Sequence, residues 1–402
     1  MKQLVRKIHH AVPPSLRNRY SFLITFIRRL SKYLFPVTVC QCIERECGEK
    51  LTVMHIGWDQ KLFYYWIHRI SDDYQFRRQR SFLTAGRIPG YLNKHSASCD
   101  LAIVETVSRQ LSERYSNGLV LPRWMEMVVE IQHSMKRSRM KAIVRNIQKY
   151  GFEYEIRTSP ADFDLFYHQM YSPFVKARHQ ESADIPDYKH FYNKFLEEDC
   201  FLLFLMRNSQ PVSAAFVEVK DHDYRLSAVG VKDAGRETLQ MDVVGALYYF
   251  VMQHLEPKGN RFLFLGNSMP AVLDGVAAFK RLIGAEPFGK DLPGKPLFSF
   301  IPLRYSHAVK NILILNPLYC IKDTELQMVV HIHGDQFENE SVLRKYFKRL
   351  SPEHVDRVKV YFFKMEEKID PWVTKCLPEN AQLLTIPADN TTEQVSSRFE
   401  RT

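Results

Sequence analysis

The sequence predicts a mixed α/β fold, with mixed sheets flanked by helices and a smaller α/β unit towards the carboxyl terminus. Residues 200–231 form three short apolar segments separated by turns of four or five residues. Connections that short favour an antiparallel meander. Residues 236–302 and 320–386 alternate between helical and strand patterns. The 27 Phe and 20 Tyr in 402 residues indicate a packed core, and this length predicts two or three domains.

The positive charge of the chain is concentrated at one end. Residues 1–43 hold eight of the 56 Lys and Arg and none of the 45 Asp and Glu, which leaves 48 basic and 45 acidic residues elsewhere. The net charge of +11 therefore gives little support to nucleic-acid binding, and DNA is not an expected partner. Seven scattered Cys, an odd number, favour a reducing compartment, so the cytoplasm is the expected location.

Residues 1–35 are a separate basic segment with an amphipathic helical pattern. Arg28, Arg29 and Lys32 lie opposite an apolar face. That face consists of Phe22, Leu23, Phe26, Ile27, Leu30 and Leu34. No apolar run reaches the roughly 18 residues that span a bilayer. Three interpretations stay open: a helix on an anionic membrane surface, a helix docked on the protein, and a truncated targeting segment.

The first half of the chain is less regular than the second. Residues 36–120 contain strand patterns at TVCQCIERE, KLTVMHIG and DLAIVETV, whose order in a sheet the pattern does not define. Residues 121–157 predict a short connecting segment, a basic helix that ends at Gly151, and a strand. Two helices follow before the meander, and the first can begin at Ser159 or Asp162 with Pro160 in its first turn.

Past the meander, the elements are strongly patterned. Residues 236–255 predict a buried helix, since its centre is almost wholly apolar and Pro257 and Gly259 follow it. RFLFL is a strand, and the next helix carries Lys280 and Arg281 in its last turn, where cations favour a helix end. LFSFIPL closes the region as a strand, giving the order βββαβαβ. Residues 320–388 add a small βαβαβ unit, and residues 389–402 a polar tail.

This order of elements resembles the GNAT acyltransferase fold, and in particular its branch that includes the FemAB aminoacyltransferases and related bacterial acyltransferase domains. The resemblance lies within a domain at residues 121–305. It is carried by RSRMKAIVRNIQKYGFEYEI, by FDLFYHQMYSPFVKARH, and by LQMDVVGALYYFVMQHLEPKGNRFLFLGNS with DGVAAFKRLIGAEP. FemAB proteins carry two GNAT-like units, which implies a degenerate first unit in residues 36–120.

The resemblance implies an acyltransferase without a metal. An acyl or aminoacyl group would pass from acyl-CoA, an acyl carrier protein or an aminoacyl-tRNA to an amine or hydroxyl of a small-molecule, glycan or peptide acceptor. Attack would be direct, in a ternary complex. Main-chain N–H groups exposed between diverging parallel strands can polarise the donor carbonyl. Val229, Gly230 and Val231, at the end of the third meander strand, are therefore candidate donor contacts.

Two loops add further candidate donor contacts. GNAT enzymes hold the CoA diphosphate on a loop of the form Gln/Arg-x-x-Gly-x-Gly/Ala, whereas KDAGRETLQ has one glycine, Gly235, followed by Arg236 at a helix start. This departure favours the FemAB-like branch, whose donor sites do not depend on that loop. Asn267 and Ser268, after RFLFL, would line the groove where donor and acceptor meet. A plain turn is the alternative.

Three acids are candidate general bases. Asp242 lies in the first turns of the apolar helix, where burial would raise the pKa of its carboxyl group; it can equally be a surface residue that favours the helix start. Asp274 lies near the groove, or complements the dipole of its helix. Glu218 lies in the meander, on a face that the alternation leaves undecided.

Acceptor contacts are implied on the first of the two helices before the meander. Tyr167, Tyr171 and Arg178 would frame the acceptor, with aromatic core and solvated charge as the alternative. A basic patch suits an anionic donor or tRNA, although such a run is usually a solvated helix face. It consists of Lys136, Arg137, Arg139, Lys141 and Arg145.

Metal binding is not predicted. Cys40, Cys42 and Cys47 lack paired Cys-x-x-Cys units, and the first two would share the core face of a strand. His331 and His333 share a strand face, as a ligand pair or as a strand-end cluster.

The second functional hypothesis is a non-catalytic GNAT-fold protein that binds a partner or an acyl carrier, which the incomplete Gly-rich loop favours.

Overall fold

The computed structural model describes residues 34–106, 118–180, 183, 185–197, 199–220, 223–234, 236–288, 296–322, 325–333, 336–364 and 371–387. The amino-terminal helix predicted before residue 34, Gly235, the side chain of Arg236 and the tail after residue 387 lie outside this part. Within it, the chain divides into two units. The inserted unit runs from Trp124 to Phe288, and the discontinuous unit comprises the residues up to Arg123 and from 296 onwards.

Strands and helices follow one another along both units. Up to residue 157 they are β1 (Leu34–Ile43), β2 (Lys50–Ile56), α1 (Gln60–Ile70), β3 (Asp73–Thr84), α2 (Ile88–His95), β4 (Leu101–Thr106), β5 (Leu119–Pro122), β6 (Met125–Glu130), α3 (Ile131–Met135), α4 (Ser138–Tyr150) and β7 (Phe152–Arg157). Next come α5 (Pro160–Leu165), a π-helix (Phe166–Tyr171), α6 (Ser172–His179), α7 (Tyr188–Glu197), β8 (Cys200–Arg207), β9 (Gln210–Lys220), β10 (Asp223–Val231), α8 (Arg236–Gln240), α9 (Val243–Leu255), β11 (Phe262–Ser268), α10 (Gly275–Leu282) and β12 (Glu286–Pro287). The last are β13 (Leu297–Pro302), α11 (His307–Leu315), β14 (Leu318–Lys322), β15 (Glu325–His333), α12 (Glu340–Leu350), β16 (Arg357–Lys364), α13 (Pro371–Lys375) and β17 (Ala381–Pro387).

The inserted unit is built on a seven-stranded mixed sheet with the strand order β12-β6-β11-β10-β9-β8-β7. The predicted meander is confirmed, because β8, β9 and β10 pair as successive antiparallel hairpins. One sheet face is covered by an aromatic cluster in which Phe163, Phe166 and Phe191 pack on Phe216 of β9. The mixed α/β class predicted from the sequence is therefore the observed one.

The discontinuous unit contains a six-stranded sheet with the order β3-β1-β2-β4-β13-β5. Its strand directions repeat those of the inserted sheet. Each sheet has a run of antiparallel strands, three in this sheet and four in the inserted one, then one parallel pair and two further antiparallel strands. The parallel pairs are β2 with β4 and β10 with β11. The core of this unit includes Trp66 of α1, which packs on Phe298 and Phe300 of β13.

The structure differs from the sequence prediction in where LFSFIPL belongs. This segment is the strand β13, but it pairs with β4 and β5 in the discontinuous unit and does not close the sheet that holds the meander. The place beside β11 is taken by β6. The sequence pattern of this segment predicted only a short connecting segment before the basic helix. Alternation identifies a strand, but it carries no information on which of two similar edges the strand will join.

The predicted long helix at residues 236–255 is two helices. Asp242 separates α8 from α9 and has a left-handed backbone conformation with φ +63°. Such a conformation is uncommon for a residue other than glycine and interrupts the run of helical hydrogen bonds. The consequence is that α9 begins immediately after Asp242, which places the Asp242 carboxylate at a helix start.

The predicted βαβαβ unit near the carboxyl end is confirmed. β15, β16 and β17 are parallel and alternate with α12 and α13, and β14 adds an antiparallel edge strand. The side chain of His331 is buried in this sheet, stacked on Tyr361 at 5.1 Å and Phe363 at 5.6 Å between ring centroids. Burial lowers the pKa of His331 to about 3.

Acid is expected to destabilise the protein through His331. Because its pKa is lower in the folded state than the usual 6.5, the unfolded chain takes up this proton first as the pH falls. The contribution of His331 to the free energy of unfolding is complete above about pH 6.5. It is lost towards pH 3, by about 1.4 kcal/mol per pH unit. His331→Phe should flatten the fall in unfolding free energy between pH 6 and 4 in urea titrations, and His333→Gln serves as the control. Equal slopes for His331→Phe and the wild type would contradict the prediction.

Candidate active site

The two parallel strands at the centre of the inserted sheet diverge. β10 and β11 pair only at Tyr224 with Leu263 and at Arg225 with Phe264, although both strands continue well beyond these pairs. We call the wedge between Leu226–Val231 and Leu265–Ser268 the strand fork. Within the described residues, the main-chain groups along its facing edges have no partner strand. The divergence predicted from the sequence is therefore confirmed.

Irregularities in both strands produce the strand fork. The register of β10 against β9 shifts between Leu226 and Ala228, and that of β11 against β6 shifts between Phe264 and Asn267. Such bulges bend a strand and increase its twist. Gly266, inside the second bulge, has φ +69°, and a Cβ atom there would lie 3.1 Å from the carbonyl oxygen of Leu226. Glycine is thus needed where the two strands last touch.

The corresponding parallel pair of the discontinuous unit does not diverge in this way. β2 and β4 pair from Val53 with Leu101 to Ile56 with Val104, which reaches the end of β2. Because only the inserted unit opens its parallel pair within the described residues, the candidate active site lies there.

An ion pair lies at the closed end of the strand fork. Arg225 contacts the carboxylate of Glu126, which is only 2% exposed, and its guanidinium lies 5.2 Å from the centroid of the Phe264 ring. Phe288 packs edge-on against the same ring. Neither charged residue was predicted from the sequence as part of a site. An Arg and a Glu inside otherwise apolar strands were the only available signal, and nothing in the sequence pairs them.

A buried lysine fixes the β11 side of the strand fork. The Nζ atom of Lys280, in α10, donates hydrogen bonds of 3.1 Å to the carbonyl oxygens of Gly266 and Asn267 and to Oγ of Ser268. Burial lowers the pKa of Lys280 to about 7, opposed by the charge of Asp274. From the sequence, Lys280 was predicted only as a cation at a helix end. Its spacing from Ser268 gave no sign of this contact.

The two predicted contacts on this side differ in accessibility. The side chain of Asn267 is exposed at the strand fork, whereas Ser268 is 2% exposed and accepts the hydrogen bond from Lys280. Asp274 caps α10, where its Oδ1 accepts from the main-chain N–H of Val276 at 3.0 Å and of Ala277 at 3.3 Å. The capping interpretation thus accounts for the contacts of Asp274.

Asp242 occupies the start of α9. Its two carboxylate oxygens each lie 2.8 Å from Nη2 of Arg139, and Asn146 lies 3.5 Å away. Burial raises the pKa of Asp242, against the lowering effect of Arg139. A Cβ atom at Gly245 would lie 2.6 Å from its Oδ1, so the carboxylate rests directly on the first turn. A negative charge of the chain itself therefore fills the place where a phosphate group would bind a helix start.

Glu218 lies on the face of β9 that is covered by the aromatic cluster. Its carboxylate is 5% exposed and forms a 2.6 Å ion pair with Lys194 of α7. In register it lies opposite Arg225, next to the closed end of the strand fork. The three acids that the sequence suggested as bases are therefore engaged in an ion pair, a helix cap and a second ion pair.

The three candidate donor contacts on β10 differ in how deeply they are buried. Val229 is half-buried, and Val231 and Gly230 are buried. A Cβ atom at Gly230 would lie 2.6 Å from the main-chain nitrogen of Tyr171, so the π-helix rests directly on this glycine. Tyr167 and Tyr171 are buried in the aromatic cluster, and the Tyr167 hydroxyl donates to the carbonyl of Pro186.

Basic residues of the predicted patch serve different purposes. Arg139 is paired with Asp242, and Arg137 lies over Gly284, where a Cβ atom would fall 2.6 Å from its Nε. Three of them have exposed side chains, namely Lys136, Lys141 and Arg145. Arg178 is also exposed and lies 5.3 Å from the Phe174 ring centroid.

Gly230→Ala is expected to lower the free energy of unfolding by about 1–3 kcal/mol, because the added methyl group overlaps the main chain of the π-helix. Chemical denaturation measures the change. Gly90→Ala is the matched control, since a Cβ atom at Gly90 meets no atom within 4 Å. A Gly230→Ala protein as stable as the control would show that the π-helix can move away.

Part of the chain aligns with several solved structures at low sequence identity. FemX aligns with 68% of this chain and 89% of its own length at 13% identity, with a TM-score of 0.34. The C-terminal domain of a putative lysylphosphatidylglycerol synthetase from Agrobacterium fabrum covers 68% of this chain and 83% of its own, at 12% identity and a TM-score of 0.31. A GCN5-related N-acetyltransferase from Kribbella flavida covers 72% and 64%, at 9% identity and a TM-score of 0.29.

These proteins are what the chain is similar to, and at such identities and TM-scores the alignments assign no reaction to it. No protein-family model matches the sequence. No curated protein matches it either. In the described part of the chain, no helix is both long enough and apolar enough to cross a bilayer.

Proposed function

We propose that the protein is an acyltransferase that works at the strand fork. An acyl or aminoacyl group would pass from its donor to an amine or hydroxyl acceptor by direct attack. The proposal depends on one observation above all, the loss of pairing between β10 and β11 after two residue pairs. This loss leaves strand edges on which a donor can form the hydrogen bonds that a neighbouring strand would otherwise form.

The proposed mechanism needs no covalent intermediate. Main-chain N–H groups on the β10 side, between Val229 and Val231, would polarise the carbonyl of the donor and stabilise the oxyanion as the acceptor attacks. Asn267, on the other strand, has an exposed side chain. Asp242 is the proposed proton acceptor, because burial raises the pKa of its carboxyl group towards the range useful for a base. Arg139 would orient it.

The occupied start of α9 favours a donor that does not present a diphosphate there. Asp242 supplies a negative charge at that position and Arg139 neutralises it, so a CoA diphosphate would meet a carboxylate. Aminoacyl-tRNA and an acyl carrier protein are therefore the preferred donors, with acyl-CoA as the less favoured one. Exposed Lys136, Lys141 and Arg145 suit the anionic surfaces of both preferred donors.

Blocking the strand fork tests the proposal. Asn267→Trp places a large ring on an exposed position of the wedge and should reduce transfer from a labelled aminoacyl-tRNA or acyl carrier at least tenfold, with thermal stability unchanged. Glu153→Trp, at an exposed position of β7, is the matched control and should transfer normally. Transfer by Asn267→Trp at the wild-type rate would place the reaction elsewhere.

A non-catalytic role is the second candidate, and the engagement of all three acids favours it. Asp242, Asp274 and Glu218 each have a partner that accounts for their position. A protein that only binds an acyl carrier or a partner would show donor binding without transfer, and Asp242→Asn would leave both binding and the host phenotype unchanged. Loss of transfer in Asp242→Asn, with donor binding retained, would select the enzyme.

The basic segment at residues 1–35 is proposed to bring the protein to the inner face of a membrane. Its eight Lys and Arg lie within residues 1–43, without any acid. Sedimentation of the full chain with anionic vesicles, but not with neutral ones, would support this partner. Equal sedimentation with both vesicles would contradict an electrostatic attachment.

A further inference from the structure

The turn between β1 and β2 brings three metal-binding side chains together in the discontinuous unit. Sγ of Cys47, a carboxylate oxygen of Glu49 and a ring nitrogen of His307 all lie within 4.8 Å of one another. His307 is the first residue of α11, and its Nδ1 lies 3.2 Å from Oε1 of Glu49. The strand fork lies in the inserted unit and uses none of these residues. We propose that Cys47, Glu49 and His307 bind a zinc ion.

Hydrogen bonds hold the two ligand-bearing segments together without the ion. Glu44 is 2% exposed, and its Oε2 accepts from the main-chain N–H of Cys47 at 2.7 Å and from Nδ2 of Asn311, in α11, at 3.1 Å. The main-chain N–H of Ala308 lies 3.3 Å from Oε2 of Glu49. The turn and the start of α11 are therefore fixed relative to each other, so little order has to be gained on binding.

Only a small movement completes the geometry. Tetrahedral zinc, with Zn–S of about 2.3 Å and Zn–N of about 2.0–2.1 Å, places neighbouring ligand atoms about 3.3–3.6 Å apart. The distance between Glu49 and His307 is already 3.2 Å. Their side chains are 47% and 70% exposed, so both are able to rotate, and Cys47 is half-buried beside them.

The ligand types select zinc over magnesium or calcium. A thiolate and an imidazole are preferred by zinc, whereas magnesium and calcium take oxygen ligands. Charge favours a divalent cation in general, because a thiolate of Cys47 and the carboxylates of Glu44 and Glu49 would place three negative charges around the ion. Three protein ligands leave a fourth position for water. Zinc would then link the β1–β2 turn to α11 across 258 residues of sequence.

The untagged full-length chain, dialysed against a chelator, is the material for the test. Titration with Co²⁺ should give one ion per chain and a thiolate-to-cobalt absorption band, which Zn²⁺ removes and Mg²⁺ does not. Cys47→Ser should abolish the band. His307→Ala and Glu49→Gln should weaken zinc binding at least tenfold, measured against a chromophoric chelator. Cys200→Ser, which changes a thiol of the inserted unit, is the matched control and should bind as the wild type does.

Three results would overturn the proposal: absence of the cobalt band, a band that survives in Cys47→Ser, or equal zinc affinity in all variants. Thermal melting of the metal-free variants shows whether each is folded. His307→Ala and Glu49→Gln change exposed side chains, so they decide the question if Cys47→Ser does not fold. Zinc should also raise the melting temperature of the wild type but not of His307→Ala.

Discussion

Replacement of Arg225 with Met is expected to lower the free energy of unfolding by about 3–5 kcal/mol, the usual cost of leaving one partner of a buried ion pair alone. Glu126 is 2% exposed and would lose its cation, and the contact between the guanidinium and Phe264 would also disappear. Denaturant titration measures the loss. Because this pair lies at the closed end of the strand fork, the proposed acyl transfer should fall as well.

The reverse replacement, Glu126→Gln, should cost less, since Arg225 is 28% exposed and can reach water. A double variant that combines Arg225→Met with Glu126→Gln should recover much of the stability lost in Arg225→Met, because it buries no lone charge. If Arg225→Met and Glu126→Gln cost the same and the double variant costs their sum, the two side chains do not act as a pair.

Replacement of Lys280 with Met should loosen the β11 side of the strand fork. Two main-chain carbonyls and the Ser268 hydroxyl lose their donor, which costs about 1–3 kcal/mol for each acceptor that water cannot reach. Removal of a buried ammonium offsets part of this loss, so a net decrease of about 2 kcal/mol is expected. Hydrogen exchange at residues 265–268 should accelerate at least tenfold, and the proposed acyl transfer should decline.

Lys141→Met is the matched control, since Lys141 is exposed on α4. The pH dependence gives a second readout. Burial lowers the pKa of Lys280 from 10.5 to about 7, so the unfolded chain keeps a proton that the folded protein releases. Stability should therefore rise as the pH increases from 7 towards 10.5, and this rise should be missing from Lys280→Met. An unchanged slope, with normal exchange at residues 265–268, would contradict the role assigned to Lys280.

Elements with strong local patterns could be predicted from the sequence. The meander at residues 200–231 alternates and turns within a few residues, and the helix after it is apolar throughout its centre, so each is specified by its own neighbours. The βαβαβ unit near the carboxyl end was predicted for the same reason. The divergence of β10 and β11 was implied by the resemblance to the GNAT fold.

Charged residues at the strand fork could not be predicted, because their partners lie far away in sequence. Glu126 and Arg225 come together only once β6, β11 and β10 lie side by side. Lys280 has the position of an ordinary helix-end cation until α10 packs over the end of β11. The break at Asp242 is of the same kind, since Arg139 and Asn146 of α4 hold a residue whose neighbours favour a continuous helix.

The position of β13 has a consequence for biosynthesis. β5 is synthesised before the inserted unit and β13 after it, yet within the described residues β13 is the strand that joins β5 to the rest of its sheet. During translation, the six-stranded sheet therefore lacks β13 until the whole inserted unit has been synthesised. The inserted unit is able to fold first. The other sheet can be completed only after translation has passed residue 302, where β13 ends.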